Sequence, residues 1–239
     1  MSDKREHTTE YSGENSGELR ILIARAGDLP HSENEECEAS ATRSKAKTES
    51  ALSQKLTAAA LGIYLGRVPS EEELAGELRT PGRKPCFPAY PDFCYNISHS
   101  AGVAVCAVSD HPVGIDLQMI PENPRNAMRI AKRFFSGEEQ DALSALSDRG
   151  EQEALCCLFC RYWTARESYI KLTGKGLTES FSSYRPDLEA GVIRVPGPGS
   201  STDSSPAAYL TECPAPAGFC LTVCSDVPLP PCSAQNAPL

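Results

Sequence analysis

One stretch of the sequence carries chemically active side chains at a regular spacing. In the run RYWTARESYIKLTGKGL, Trp163, Glu167 and Lys171 recur every four residues. A helix places residues i, i+4 and i+8 on one face, so an indole, a carboxylate and an ammonium would share one stripe. Taken alone, this spacing favours a surface ion pair between Glu167 and Lys171, with Trp163 as a core anchor.

A second run, GIDLQ at residues 114–118, predicts a strand that carries oxygen ligands. Strand side chains alternate, so Asp116 and Gln118 would project to the same face. Mg²⁺ prefers oxygen ligands and typically takes one or two protein carboxylates, with waters and substrate phosphates completing its shell. Asp116 and Glu167 could supply two carboxylates. The alternative is that Asp116 begins a turn or caps a helix.

Two further segments are candidates for binding an anion. The run NISHS, residues 96–100, lies where we predict a strand to enter a turn, and amides, hydroxyls and an imidazole can converge there on a phosphate. Ordinary turn chemistry is the alternative, since Asn, Ser and His all favour turns. Lys84, in GRKP, is another candidate phosphate contact. The chain lacks GxxxxGK[ST], GxGxxG, HExxH and GxSxG motifs.

The chain has eleven cysteines, an odd and high number. Cys156, Cys157 and Cys160 form the close cluster, and Cys220 and Cys224 form a looser pair. A structural zinc site usually takes two tightly spaced pairs, and the segment around Cys156 is apolar, so we predict buried free thiols. A cysteine-based metal or redox protein is the alternative. Without a secretory signal, we expect no disulfides.

Composition limits the function classes. The chain has 239 residues, of which 40% are hydrophobic and 23% charged, as in soluble globular domains. A net charge of −9 argues against binding of nucleic acid or anionic lipid, which need a basic field. No apolar run approaches the about 20 residues that span a bilayer, and the N-terminus is polar. We therefore predict a cytoplasmic protein with no membrane or nucleic-acid partner.

Periodicity and turn residues predict an α+β chain. The predicted helices span residues 50–67, 124–134, 136–147 and 151–173. A further helix is capped by Ser70 and ends near residue 80. The predicted strands are 19–25, a hairpin around the turn 99–102, 113–120, and a final hairpin formed by 207–213 and 218–224. Residues 196–206 are predicted as a loop, and residues 1–18 and 227–239 as disordered tails.

Five runs in order resemble the Sfp-type 4′-phosphopantetheinyl transferases: RKP (83–85), NISHS (96–100), GIDLQ (114–118), RFFSGEE (133–139) and WTARESYIKLTGKGL (163–177). The resemblance covers about residues 80–180, and the WxxKExxxK-like helix and the G-[IV]-D strand are its specific parts. It implies a monomer of two similar α/β lobes related by pseudo-twofold symmetry, with coenzyme A and Mg²⁺ bound between them. The lobes would be 19–111 and 112–226, the second carrying the metal site.

The resemblance also implies a reaction and a set of roles. A serine of an apo acyl or peptidyl carrier protein would attack the β-phosphorus of coenzyme A, and 3′,5′-ADP would leave. The catalytic residues would be Glu167 and Lys171. The implied contacts are Asp116, Glu167 and Gln118 to the metal, Lys171 to the pyrophosphate, Ser98, His99 and Lys84 to the coenzyme A phosphates, and Arg43 or Lys45 to the 3′-phosphate. The general base would be Glu167 or a metal-bound water.

The sequence departs from the family pattern at two positions. Gln118 stands where many members have a second acid, and Arg166 stands where the helix usually has Lys. An amide oxygen can ligate Mg²⁺ but carries no charge, so we expect weaker metal binding or an extra water ligand. Arg166 keeps the positive charge with a different geometry. The uncharged Gln118 also keeps open a non-catalytic protein of the same fold that binds coenzyme A or a carrier protein.

Overall fold

A computed structural model of the chain describes residues 19–29, 41–175, 181–195, 206–230 and 232–237, without the side chains of 41–44, 182, 233 and 235. These parts form a mixed α/β fold with two sheets. The helices are α1 Ala41–Leu65, α2 Glu71–Ala75, α3 Pro124–Phe134, α4 Gly137–Asp148 and α5 Gln152–Thr173. The strands are β1 Arg20–Arg25, β2 Cys94–Ser100, β3 Val103–Ser109, β4 Val113–Met119, β5 Arg185–Asp187, β6 Val192–Arg194, β7 Ala208–Glu212, β8 Phe219–Ser225 and β9 Ser233–Asn236.

The N-terminal sheet has the strand order β2-β3-β1-β9. Residues 21–24 of β1 and 103–108 of β3 are all apolar because both faces of this sheet are covered. On one face Leu22 and Cys106 pack against Leu52 and Leu56 of α1. On the other face, alternate residues such as Val105 pack against the second sheet. The N-terminal sheet therefore lies between α1 and the C-terminal sheet.

The C-terminal sheet is antiparallel throughout, with the order β4-β8-β7-β6-β5. Ile115 and Leu117 of β4 face the N-terminal sheet, and α5 packs across the opposite face of β4 and β8. The helices α3 and α4 cover α5 through a further apolar cluster that includes Leu143 and Phe159. The strand β4 thus lies between the first sheet and the longest helix of the second half.

Gly114 determines how closely α5 approaches β4. A Cβ atom at this position would overlap the backbone oxygen of Ser168 and the backbone nitrogen of Leu172, and would lie 2.9 Å from the Leu172 Cα. Only glycine lets two backbones come so close. The glycine of the GIDLQ run is therefore required for packing, and it brings α5 directly over the strand that carries Asp116.

Most predicted elements are confirmed, including both hairpins and the helices α3, α4 and α5. The Ser70–Glu73 capping box is also present. Two boundaries were wrong. The helix α1 begins at Ala41 rather than at residue 50, in a polar stretch that lacks an apolar period but is rich in helix-forming residues. The helix α2 ends at Ala75, because Gly76 caps it well before residue 80.

The predicted disordered tail at 227–239 is corrected by β9. Ser233–Asn236 pairs in parallel with β1, and the Ala237 amide donates to the Ile23 oxygen at 2.8 Å. The segment is short, polar and next to prolines, so nothing in its pattern predicts a strand; it pairs through backbone groups at a sheet edge. The short strands β5 and β6 were missed as well. The predicted tail 1–18 and residues 196–205 of the predicted loop lie outside the described residues.

The expectation of no disulfides was also wrong, because Cys213 and Cys232 are bonded. Cys213 follows β7 and Cys232 precedes β9, so the pairing of β9 with β1 brings them to a Cα separation of 5.7 Å, within the range that a disulfide requires. This bond fastens the segment before β9 to the C-terminal half. Among the described helices, none is both long and apolar enough to cross a bilayer.

Candidate active site

The edges of the two sheets meet through side chains. Three β2 side chains at alternate positions accept hydrogen bonds from alternate backbone amides of β4: Asn96 from Ile115 (2.9 Å), Ser98 from Leu117 (3.2 Å) and Ser100 from Met119 (3.1 Å). These bonds satisfy the β4 edge that does not face β8. The NISHS run therefore lies on a strand, and the turn follows at Ala101 and Gly102. We call these three bonds the edge ladder.

Asp116 is the centre of the polar cluster at this junction. Its side chain is 8% exposed, and its Oδ1 accepts from Lys171 Nζ at 2.7 Å and from Ser98 Oγ at 2.9 Å. Lys171 Nζ also donates to Ser98 Oγ at 2.8 Å. The Ser98 hydroxyl thus donates its single proton and accepts two hydrogen bonds, one from Lys171 and one from the edge ladder. Elements from both sheets and from α5 hold Asp116.

Glu167 lies one turn before Lys171 on α5 and is half-buried. Burial raises its pKa, the nearby Asp116 raises it further, and Lys171 opposes both effects. Burial also raises the pKa of Asp116, although the contacts with Lys171 and Ser98 work against that. Two carboxylates that repel each other in a partly buried site favour a cation between them. The surface Glu167–Lys171 pair was the alternative that the spacing alone favoured, and Lys171 instead bonds to Asp116 on another element.

The donor set fits a hard divalent cation. The second oxygen of Asp116, Oδ2, is buried and has no hydrogen-bond partner among the described residues, and such atoms are rare in folded proteins. Together with Glu167 it offers the carboxylate oxygens that Mg²⁺ prefers. Within the described ranges, no group of three or more His, Cys, Asp or Glu side chains is arranged to hold a metal. The Gln118 amide donates to the Met119 oxygen at 3.4 Å.

The other predicted phosphate contacts lie in two different places. His99 and Lys45 both approach Glu49, at 3.6 Å and 3.9 Å, beside a cavity of about 360 Å³ between α1 and β2. Lys84 Nζ donates to the Val113 oxygen at 2.7 Å, at the start of β4. Burial lowers the pKa of Lys84 to about 8. The side chain of Arg43 lies outside the described residues.

A buried ion pair behind the site was not predicted from the sequence. Arg166 NH2 lies 2.6 Å from Glu139 Oε2, and the two side chains are 1% and 4% exposed. Glu139 also caps α4 by accepting from the Ser136 amide at 2.7 Å, and the guanidinium lies over the Phe135 ring, 4.6 Å from its centroid. The pair ties α4 to α5 one residue before Glu167. The sequence feature that could have drawn attention to Glu139 is its capping-box spacing from Ser136.

Trp163 begins the stripe that continues to Glu167 and Lys171. Its ring stacks on Phe181 and Phe159, at centroid distances of 5.2 Å and 6.0 Å, and meets the edge of Phe134. Trp163 is therefore the core anchor that the spacing predicted, and it fixes one end of the stripe in an aromatic cluster. The polar end lies over β4.

Comparison with known proteins identifies similar sequences. Residues 112–223 match the family model of the 4′-phosphopantetheinyl transferase superfamily. The chain is 35% identical over 146 residues to the 4′-phosphopantetheinyl transferase Sfp of Bacillus subtilis, covering 61% of this chain and 60% of that protein. It is 36% identical over 124 residues to the 4′-phosphopantetheinyl transferase HetI of a Nostoc species, covering 50% and 48%. A third relative, gsp of Aneurinibacillus migulanus, is 39% identical over 93 residues, covering 39% and 36%.

These matches confirm the resemblance found in the motifs, and the matched region contains β4 and α5, which carry Asp116, Glu167 and Lys171. The matched regions span 60% or less of the length of these three relatives.

Proposed function

We propose, from the match of residues 112–223 to the family model of the 4′-phosphopantetheinyl transferase superfamily, that the protein transfers 4′-phosphopantetheine from coenzyme A to a serine of an acyl or peptidyl carrier protein, releasing 3′,5′-ADP. One observation carries the proposal: Asp116, Glu167 and Lys171 meet at the junction of the two sheets. Two carboxylates and an ammonium can there bind a metal and a pyrophosphate.

The finer architecture belongs to the same proposal. We assign residues 19–111 and 112–226 to two lobes related by pseudo-twofold symmetry, with coenzyme A bound in the cleft between them. Each half has a sheet and a long helix, α1 or α5, which supports this division. The edge ladder joins the halves where the cleft would lie. A monomeric state and a location in the cytoplasm stay predictions.

Asp116 and Glu167 would hold Mg²⁺, with Gln118 as a third, neutral ligand. The unpartnered Oδ2 of Asp116 supports this assignment. When bound, the metal would neutralise negative charge on the pyrophosphate. The Gln118 amide is directed to the Met119 oxygen, so ligation through Gln118 would require that side chain to turn.

Lys171 would bind the pyrophosphate and stabilise the charge that grows on the leaving phosphate. Its ammonium is held by Asp116 and Ser98, so it is oriented before the substrate arrives. His99 is 45% exposed and would contact a coenzyme A phosphate directly. Ser98 and Lys84 would complete that set, although both are engaged by protein groups in this structure. Lys45 or Arg43 would bind the 3′-phosphate.

Mass spectrometry of a reconstituted reaction tests the function. The protein is incubated with Mg²⁺, coenzyme A and a panel of apo carrier proteins from fatty-acid, polyketide and nonribosomal-peptide synthesis. We expect a phosphopantetheine adduct on the serine of at least one carrier, and none when the metal is chelated. The absence of an adduct on every carrier, with coenzyme A still bound in calorimetry, would identify the non-catalytic binding protein instead.

Two substitutions of Glu167 separate its possible roles. Glu167→Ala removes both the metal ligand and a base, so we expect transfer to fall by at least about 10³-fold. Glu167→Gln keeps an oxygen ligand but cannot accept the serine proton. Substantial transfer by Glu167→Gln at raised Mg²⁺ would assign Glu167 to metal binding only. Glu153→Gln, an exposed carboxylate on the same helix, is the matched control and should leave transfer unchanged.

A further inference from the structure

The strand β9 is short and lies at an edge of the first sheet. Its four residues pair in parallel with β1. The Ala237 amide adds a bond to the Ile23 oxygen at 2.8 Å, and the exposed Asn236 accepts from the Arg25 guanidinium at 3.1 Å. Ala234 and Ala237 pack against apolar clusters, but an alanine side chain buries little apolar surface. The strand therefore gains little free energy from its own side chains.

The connection from β8 to β9 cannot pair continuously with a neighbouring strand. It follows Ser225 and contains Pro228 and Pro230, which are exposed and have no amide hydrogen to donate. Leu229, between these prolines, packs partly against the apolar cluster between the two sheets. In the described part of this connection, sheet pairing resumes at Ser233. Backbone pairing along the connection therefore does not position β9.

The Cys213–Cys232 disulfide holds the segment before β9 more firmly. Cys213 is 9% exposed, its amide donates to the Leu221 oxygen at 2.9 Å, and its side chain lies in the cluster between the two sheets. Cys232 immediately precedes β9. The bond thus ties the start of β9 to a fixed point in the C-terminal half. Such a cross-link lowers the conformational entropy of the chain when β9 is released, which favours the paired state.

The two sulfurs of this bond differ in accessibility. Cys213 is buried, whereas Cys232 is half-buried and lies close in sequence to the exposed Pro230. Thiol–disulfide exchange needs one accessible sulfur, because attack on that sulfur releases the other as a thiolate. A small thiol can therefore open the bond from the side of Cys232.

We propose that the Cys213–Cys232 bond is a redox switch for β9, which a dithiol reductant opens. One thiolate of the reductant attacks the Cys232 sulfur, the S–S bond breaks, and Cys213 leaves as a thiolate that takes up a proton. The second thiolate then attacks the reductant sulfur that is bound to Cys232, and Cys232 leaves and is protonated. The reductant loses two electrons and two protons and becomes a cyclic disulfide. The two cysteines gain those electrons and protons.

Opening the switch changes one edge of the first sheet. The strand β1 keeps its antiparallel pairing with β3 but loses its parallel partner. The Ile23 oxygen then loses the Ala237 amide, and Ala237 leaves the cluster that packs against α1. The strand β2, which carries the edge ladder, lies at the other edge of the same sheet. The switch is therefore separate from the candidate active site, and the inference does not depend on the proposed transfer.

Hydrogen exchange of the full chain, with and without dithiothreitol, tests the switch. The chain is first exposed to oxidised glutathione, and peptide mapping should then show a linked peptide that contains Cys213 and Cys232. After reduction, we expect the amides of residues 233–237 to exchange at least about tenfold faster. The amides of residues 103–108 in β3 should keep their protection, because β3 pairs with β1 and β2 in both states.

Three results would overturn the proposal. Free thiols at Cys213 and Cys232 after the oxidising treatment would show that the bond does not form. Unchanged exchange of residues 233–237 after reduction would show that β9 stays paired without the bond. An equal loss of protection in β3 would show that the bond stabilises the whole fold and does not act on β9 alone.

A pair of serine variants separates the bond from other effects of the reductant. Cys232→Ser should exchange rapidly at residues 233–237 without dithiothreitol and should not respond to it; slow exchange in this variant would contradict the switch. Cys232 is substituted rather than Cys213 because its side chain is the less buried of the two. Cys86→Ser, which removes an exposed free thiol, is the matched control and should respond to dithiothreitol like the unmodified chain.

Discussion

The two halves of this protein differ in where their charged side chains lie and in how fully those side chains are hydrogen-bonded. In the N-terminal half, Glu73 bonds to Arg67 and Tyr90 near the surface, and Glu77 bonds in the same way to Arg79 and Tyr95. The core beneath them is formed by apolar and aromatic side chains.

In the C-terminal half, Asp116, Glu139 and Arg166 are buried, and each has a side-chain atom without a hydrogen-bond partner among the described residues. Buried charges cost folding free energy unless they are fully paired. The difference indicates that buried charges around the candidate active site lower the folding stability of the second half. The first half contributes a stable sheet and the side chains of the edge ladder.

The largest expected effect tests the contact between β4 and α5. Gly114→Ala should leave no cooperatively folded protein, because the added methyl group would overlap the α5 backbone, which cannot move without separating the helix from the sheet. Urea unfolding followed by fluorescence of Trp163 measures this. Gly137→Ala is the control, since a Cβ there meets no atom within 4 Å; a similar loss in both variants would contradict the role of Gly114.

The next effect compares a buried ion pair with an exposed one. Arg166→Leu should lower the free energy of unfolding by about 3–5 kcal/mol, because it leaves Glu139 buried without its partner. Arg67→Leu, which breaks the exposed pair with Glu73 in the other half, should change stability much less. Equal losses in the two variants would remove the distinction between the halves.

The edge ladder should show a smaller effect that depends on burial. Asn96→Ala removes the acceptor of the buried Ile115 amide, which should cost about 1–3 kcal/mol in the free energy of unfolding. Ser100→Ala removes the more exposed bond from the Met119 amide and should cost less, because water can replace the hydroxyl. Amide hydrogen exchange gives a direct readout. The Ile115 amide should lose protection in Asn96→Ala, and an unchanged exchange rate would argue against the ladder.

The last effect depends on pH and concerns Lys84, which joins the halves at Val113. Its pKa of about 8 in the folded protein lies below the ordinary value of 10.5, so its charge destabilises the fold below pH 8. That penalty disappears as the pH rises from 8 to 10.5, where the unfolded chain still binds the proton. The stability of the wild type relative to Lys84→Met should therefore increase between pH 7 and pH 9.5. Lys132→Met, at an exposed lysine, should show no such change.

Much of the fold could be predicted because the pattern and the local chemistry agree. The strand β3 is apolar from residue 103 to residue 108, α3 has Asn123 as its cap followed by Pro124, and α4 begins with a capping box. The strands β5, β6 and β9 were missed because three or four residues cannot show a period, and because their pairing depends on strands that are distant in sequence.

The candidate site was predicted in part. The spacing of Glu167 and Lys171 and the alternation around Asp116 were visible, and the structure places these residues together. The roles of Asn96, Ser98 and Ser100 in the edge ladder could not be predicted. In sequence, a strand that accepts hydrogen bonds through its side chains resembles a polar turn.

The parallel pairing of β9 with β1 has a consequence for how the protein is made. The Arg25 guanidinium on β1 donates to the Asn236 side-chain oxygen at the end of β9, a partner 211 residues further along the chain. During synthesis, the β1 edge of the first sheet therefore stays unpaired until the second half of the chain has left the ribosome. Contacts of such long range slow folding and expose nascent edges to wrong partners. We expect the nascent N-terminal half to depend on chaperones until its last strand arrives.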